Sequence, residues 1–210
     1  MILHPSWLQA HGLVDRDVAE AASVAVVTGE IAEFKVGEFQ VSCSRDRLQV
    51  ATLDAASHAP LRDLLLGVLT VLAETPAWAV GMNYGAHFAA PSVERWHEFG
   101  HKFAPKEVWG DTLVQPGMRI VAVMARRDDG RDGFINVNVE PSVEVRPGVY
   151  IGINDHIQMW PTDPADQAPS TPENPADYAD LPRVAQAISD EWDVAQERAK
   201  RITAQVLSQL

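Results

Sequence analysis

His97-Glu98-Phe99-Gly100-His101 sets two imidazoles four residues apart with a carboxylate beside the first. On a helix those two histidines share a face, so they can hold one zinc ion while Glu98 polarises its bound water, the H-E-x-x-H arrangement of metallohydrolases. Such a centre needs a third protein ligand. Glu107 stands six residues past His101, but Ala104 and Pro105 occupy the stretch where a glycine turn would have to return the chain. Asp155 is the other candidate. The competing reading is an amphipathic helix in which Trp96, Phe99, Gly100 and Phe103 face a sheet and His97 and His101 flank that stripe at the boundary with solvent. It requires no cofactor, whereas the catalytic reading requires zinc.

Two further constellations carry chemistry. In the segment from Val149 to Met159 the odd positions are apolar except Asp155, which demands a paired or protonated carboxylate. It is either a catalytic acid or base, or a structural group paired with a nearby arginine. The even positions, Asn154 and His156, alternate with that face, as do Asn136 and Asn138 in an earlier segment and Asn83 and His87 in another. If these segments are neighbouring strands, the six side chains form a binding surface of amides and imidazoles suited to a polar ligand or peptide. The alternative is an ordinary solvated sheet face. Cys43 reads as a packing residue, and no phosphate-binding glycine loop, nucleophile elbow or dinucleotide fingerprint is present.

The elements that position these groups follow from periodicity. Asp15 to Ala22 suits a short helix, and Val24 to Val36 is extended. Phe39 to Cys43 and Leu48 to Leu53 form a hairpin about Arg45-Asp46-Arg47, and Leu61 to Ala73 is a helix buried on most sides. Ala77 to Phe88 alternates large and small residues. Pro91-Ser92 opens the helix bearing His97 and His101, which Pro105 stops. Arg119 to Arg126, Phe134 to Glu140 and Val149 to Met159 form an antiparallel meander joined at Asp128-Asp129-Gly130 and Arg146-Pro147-Gly148. Residues 161–180 hold five prolines, five acidic residues and no Lys or Arg, the composition of an extended linker. Asp180 caps a final helix whose Leu181, Val184, Ile188, Trp192, Ala195, Ala199, Ile202 and Val206 form one apolar stripe along roughly 45 Å at 1.5 Å per residue.

The fold class expected is therefore α+β, a mainly antiparallel sheet of about six strands packed by two helices. The core domain spans 1–160, the linker 161–180, and the docking or oligomerisation helix 181–210. Locally, Trp96 to His101 resembles the active helix of zinc peptidases of the thimet oligopeptidase type, which implies the zinc chemistry above for His97, His101 and Glu98. Over residues 38 to 160, Asp46-Arg47-Leu48-Gln49-Val50, then Val80-Gly81-Met82-Asn83-Tyr84 and Ile153-Asn154-Asp155 resemble a sporadically distributed family of uncharacterised bacterial proteins. That resemblance implies a bacterial α+β domain and no particular activity.

Composition narrows the function classes. Of 210 residues, 17 are basic and 29 acidic, and the formal net charge of −12 disfavours direct contact with nucleic acid. One cysteine, the lack of a signal-peptide pattern at the N-terminus and the lack of a membrane-length apolar run point to a cytoplasmic protein off the membrane. The striped final helix cannot bury its apolar side alone and must pack on the domain, on a second copy or on a partner. The leading expectation is a non-catalytic binding or assembly subunit working through protein contacts made by residues 161–210. The alternative is the zinc metallohydrolase.

Overall fold

The computed structural model describes residues 3–110, 112–159 and 179–210. It is an α+β chain whose sheets are antiparallel and whose last helix is long. Ten strands occur among the described residues: β1 (Ser23–Val27), β2 (Ala32–Val36), β3 (Phe39–Cys43), β4 (Leu48–Ala51), β5 (Pro76–Ala77), β6 (Ala79–Ala89), β7 (Val121–Arg126), β8 (Gly133–Pro141), β9 (Gly148–Gln158) and β10 (Ala179–Asp180). The helices are α1 (Pro5–Ala10), α2 (Arg16–Glu20), α3 (His58–Val71), α4 (Val93–Phe103) and α5 (Leu181–Leu207).

The strands are shared between two four-stranded sheets, β1-β2-β3-β4 and β6-β9-β8-β7, with β5 and β10 as a two-stranded ladder. A single sheet of about six strands was the expectation. Two features account for the difference. The run from Val24 to Val36 breaks at Thr28, whose Oγ1 accepts the N–H groups of Glu30 and Ile31, so it makes two strands instead of one. Each hairpin then closes on its neighbours in chain order, and β6 pairs with β9 through eleven register positions. Backbone contacts divide the chain into two compact units, Met1–Pro76 with Asp180–Ser189 and Ala77–Ala179 with Asp190–Leu210. The sequence-based division at 160 and 180 followed linker composition, whereas the contacts follow the sheets. Residues 161–178 of the expected linker lie outside the described residues.

In the first unit one face of β2 and β3 is apolar. Ala32, Phe34, Val36, Val41 and Cys43 are buried with Leu3, Leu8 of α1, and Leu64 and Val68 of α3. Helix α1 was not foreseen; Pro5 presets its first turn, and the His4 ring accepts the N–H of Ser6 at 3.2 Å as its cap. Burial pushes the Cys43 thiol above its ordinary pKa, consistent with a packing role.

In the second unit Ile135, Val139, Val149, Ile151 and Ile153 on one sheet face pack against Phe99 of α4 and Ala199 of α5. Ser92 caps α4 by accepting the N–H of Arg95 at 3.2 Å, and Asp180 caps α5 by accepting that of Arg183 at 3.1 Å. Along α5, Leu181, Val184, Ile188, Trp192, Ala195 and Ala199 are buried, and Ile202 and Val206 partly so. Of the three coverings expected for this stripe, the chain itself supplies one, so the helix is a core element. Among the described residues, no helix is long and apolar enough to cross a membrane.

Candidate functional site

Strand register puts all six residues of the expected polar surface on one face of the second sheet, opposite the face that α4 and α5 cover. Asn83 pairs with Asn154, Asn154 with Asn136, and Asn136 with Met124, a row crossing all four strands. The Asn154 amide donates to Asn83 Oδ1 at 2.6 Å. The adjoining row is Gly85, Gly152, Asn138 and Ala122. His156 sits between Gly81 and Phe134, half-buried, and burial together with the positive charge of Arg127 lowers its pKa below the ordinary imidazole value. The two glycines of the adjoining row have a visible purpose. Tyr150 lies over them, and a Cβ on Gly85 would come within 2.4 Å of its hydroxyl, one on Gly152 within 3.0 Å.

His87 stands opposite Tyr150, ring centroids 4.8 Å apart, and its Nδ1 meets Ser142 Oγ at 2.8 Å. That oxygen already accepts the backbone N–H groups of Glu144 at 3.1 Å and Val145 at 2.8 Å. With both lone pairs engaged, the hydroxyl hydrogen must point to Nδ1, so the ring proton belongs on Nε2, which faces Glu144 Oε1 at 3.6 Å. The serine thus orients the imidazole and closes the turn between β8 and β9. Taken together, the face sets four amides and two imidazoles side by side, with the Glu140 carboxylate opposite Tyr150.

The H-E-x-x-H helix is built as the amphipathic reading expects. Phe99 is only 1% exposed, and Trp96 and Phe103 pack beside it, while His97, Glu98 and His101 are exposed. His97, Glu98 and His101 line an open depression of about 440 Å³ with Lys106 and Pro116. Glu98 Oε2 accepts from Arg95 at 2.7 Å, and His101 Nε2 faces Glu107 Oε1 at 3.0 Å. Lys106 donates to the carbonyls of Gly100, at 2.8 Å, and Ala104, satisfying the end of the helix. Among the described residues, no three His, Cys, Asp or Glu side chains gather as a metal-binding set.

Asp155, 1% exposed, is an ion-pair centre. Its Oδ1 accepts from Arg127 and its Oδ2 from Arg198. Arg127 also grips Asp129 with Nε and Nη2, and donates to Glu191 at 2.9 Å. Arg198 reaches Asp129 at 3.0 Å, and Arg131 pairs with Glu191 at 2.7 Å and Asp190 at 3.0 Å. Burial raises the Asp129 pKa, but the Arg127 fork, the backbone N–H of Arg131 and the charge of Arg198 outweigh it and hold the group at about 2. Each Asp155 oxygen accepts from a guanidinium group, so the carboxylate is paired with arginines, as the structural alternative expects. The network's arginine and carboxylate members went unrecognised in the sequence. The available signal was Glu191 and Arg198, two helical turns apart beside the apolar stripe of α5.

With this geometry in hand, comparison adds no relative: no family model, no curated protein and no solved structure matches the chain.

Proposed function

We propose that the chain is a non-catalytic binding or assembly subunit, cytoplasmic and bacterial, that acts through contacts with another protein. One observation carries the reading: Asn83, His87, Asn136, Asn138, Asn154 and His156 stand on a single sheet face as hydrogen-bonding amides and imidazoles. Primary amides offer donor and acceptor together, which suits a peptide surface better than an ion. The resemblance to an uncharacterised bacterial family supplies the source and no activity. The binding role moves from the apolar stripe of α5, which the chain consumes, to the sheet face. No cofactor enters this reading.

The test is co-purification of tagged wild-type protein and the triple variant Asn83→Ala, Asn136→Ala, Asn154→Ala, with circular dichroism confirming an unchanged fold. A stoichiometric protein partner held by the wild type and lost by the variant is expected. Equal recovery by both would remove the face from the function.

A zinc hydrolase using His97, His101 and Glu98 is the second reading, favoured by one observation, that the three side chains line the same depression. Stoichiometric zinc that disappears in His97→Ala, with hydrolysis of a peptide substrate lost in Glu98→Gln, would put it first.

A further inference from the structure

The ring of Tyr150 lies flat on the polar face of the second sheet. A Cβ built on Gly85 would meet the ring at Cε2, 3.0 Å away, and one built on Gly152 would meet the opposite edge, Cε1, also at 3.0 Å. The ring therefore spans both glycine backbones instead of standing on edge, with one face against the sheet and the other turned away from it. His87 braces it from β6, ring centroids 4.8 Å apart, and is itself fixed by Ser142. On the other side, Glu140 of β8 pairs with Tyr150, and Asn138 pairs with Gly152. Asn138 is exposed, and Tyr150 and Glu140 are half-buried, so solvent reaches the platform and its border.

An aromatic face carries partial negative charge and attracts the weakly positive C–H groups of a ligand laid upon it. Strands stand about 4.8 Å apart, and alternate residues about 7 Å apart along a strand, so Glu140 and Asn138 reach the rim of a single ring stacked over the tyrosine. A carboxylate accepts from neighbouring hydroxyls, and a primary amide donates and accepts at once. A pyranose supplies both halves of this arrangement, axial C–H bonds on its face and hydroxyls around its edge. A nucleobase or a proline also stacks on a tyrosine. A nucleotide, however, would bring its phosphate toward Glu140 in a chain of net charge −12, and a proline has no hydroxyl for Glu140 to receive.

We propose that Tyr150, Glu140 and Asn138 form a saccharide-binding site that takes a neutral pyranose with equatorial hydroxyls, stacked on the tyrosine ring. The two glycines and His87 hold that ring in place before the ligand arrives, so little conformational freedom is lost on binding. The site adjoins the row of Asn83, Asn154 and Asn136, shares none of those three side chains, and goes beyond the protein contact proposed for them.

The experiment uses the intact chain with methyl β-glucopyranoside, adenosine monophosphate and N-acetylprolinamide as probes, read by saturation-transfer NMR and titration. The glucoside should bind saturably, with the protons of one pyranose face most strongly saturated and little change between low and high salt. Tyr150→Ala should abolish binding, and Tyr150→Phe, which keeps the platform, should retain it. Asn138→Ala and Glu140→Gln should each weaken it at least about threefold. Asn138 is exposed, so its variant decides the matter if Tyr150→Ala does not fold. Three results would overturn the proposal: glucoside binding that does not saturate, that survives Tyr150→Ala or is unweakened in Asn138→Ala, or that is no tighter than binding of the nucleotide or the prolinamide. The triple asparagine variant should keep its glucoside affinity. Failure of the glucoside alongside a protein partner still lost in that variant would overturn this site and leave the binding-subunit reading standing.

Discussion

Arg198, on the last helix, donates to one oxygen of Asp155, on the last long strand, and Arg127 occupies the other oxygen. A helix and a hairpin are thereby joined to the sheet through one carboxylate that solvent does not reach. The isolated acidic residue in an apolar strand face is explained by its partners, which arrive from 28 residues before it and 43 after it.

Removing that carboxylate leaves two buried guanidinium groups short of a partner. Asp155→Ala should lower unfolding free energy by about 3–5 kcal/mol, read from urea denaturation followed by circular dichroism. A loss below about 1 kcal/mol would mean that the remaining carboxylates take over both arginines.

Acid should loosen the same network in a defined window. The folded-state pKa of Asp129 is depressed from 3.8 to about 2, so the folded form binds its proton less readily than the unfolded chain. Its stabilisation is complete above the unfolded value and is lost as pH falls from near 4 toward 2. His156 acts at higher pH: its folded pKa is also lowered, so stability begins to fall as the unfolded chain takes up its proton below pH 6.5. Urea midpoints measured against pH should show both limbs, with Asp129→Asn flattening the lower and His156→Gln the upper.

On α4 the two faces should respond differently. Phe99→Ala empties a buried position and should cost about 3–5 kcal/mol, whereas His97→Ala and His101→Ala should stay within about 0.5 kcal/mol of wild type. Thermal melts of the three variants, with and without chelator, check this. A chelator-dependent melt would count for the zinc reading.

Gly85 should tolerate no side chain while Tyr150 is present. Gly85→Ala drives a Cβ into the tyrosine hydroxyl and should cost about 1–3 kcal/mol; adding Tyr150→Ala should recover part of that loss. A double-mutant cycle in urea measures the coupling, and additive effects would show that the two positions do not meet.

How far the sequence could be read depended on the range of the forces involved. The caps of α4 and α5 were visible because Ser92 and Asp180 bond to an N–H three residues away. The stripe of Phe99 and the alternation of Val149 to Ile157 were visible because helix and strand periods are local. The break at Thr28 is equally local, yet strand propensity on both sides masked it.

For the candidate sites, alternation alone assigned Asn83, Asn136 and Asn154 to polar strand faces. That they form one row depended on β6 pairing with β9, across 71 residues for the Asn83 to Asn154 bond. The same dependence governs the histidines of α4: their spacing is intrinsic to a helix, but ligands from elsewhere in the chain would have to complete a metal site. Periodicity and capping therefore determined the elements and the faces they expose, because those signals act within a turn or a pleat. The partners of Asp155 and the amide row were decided by strand order and helix docking, because a hydrogen bond or ion pair reports only which groups meet in space.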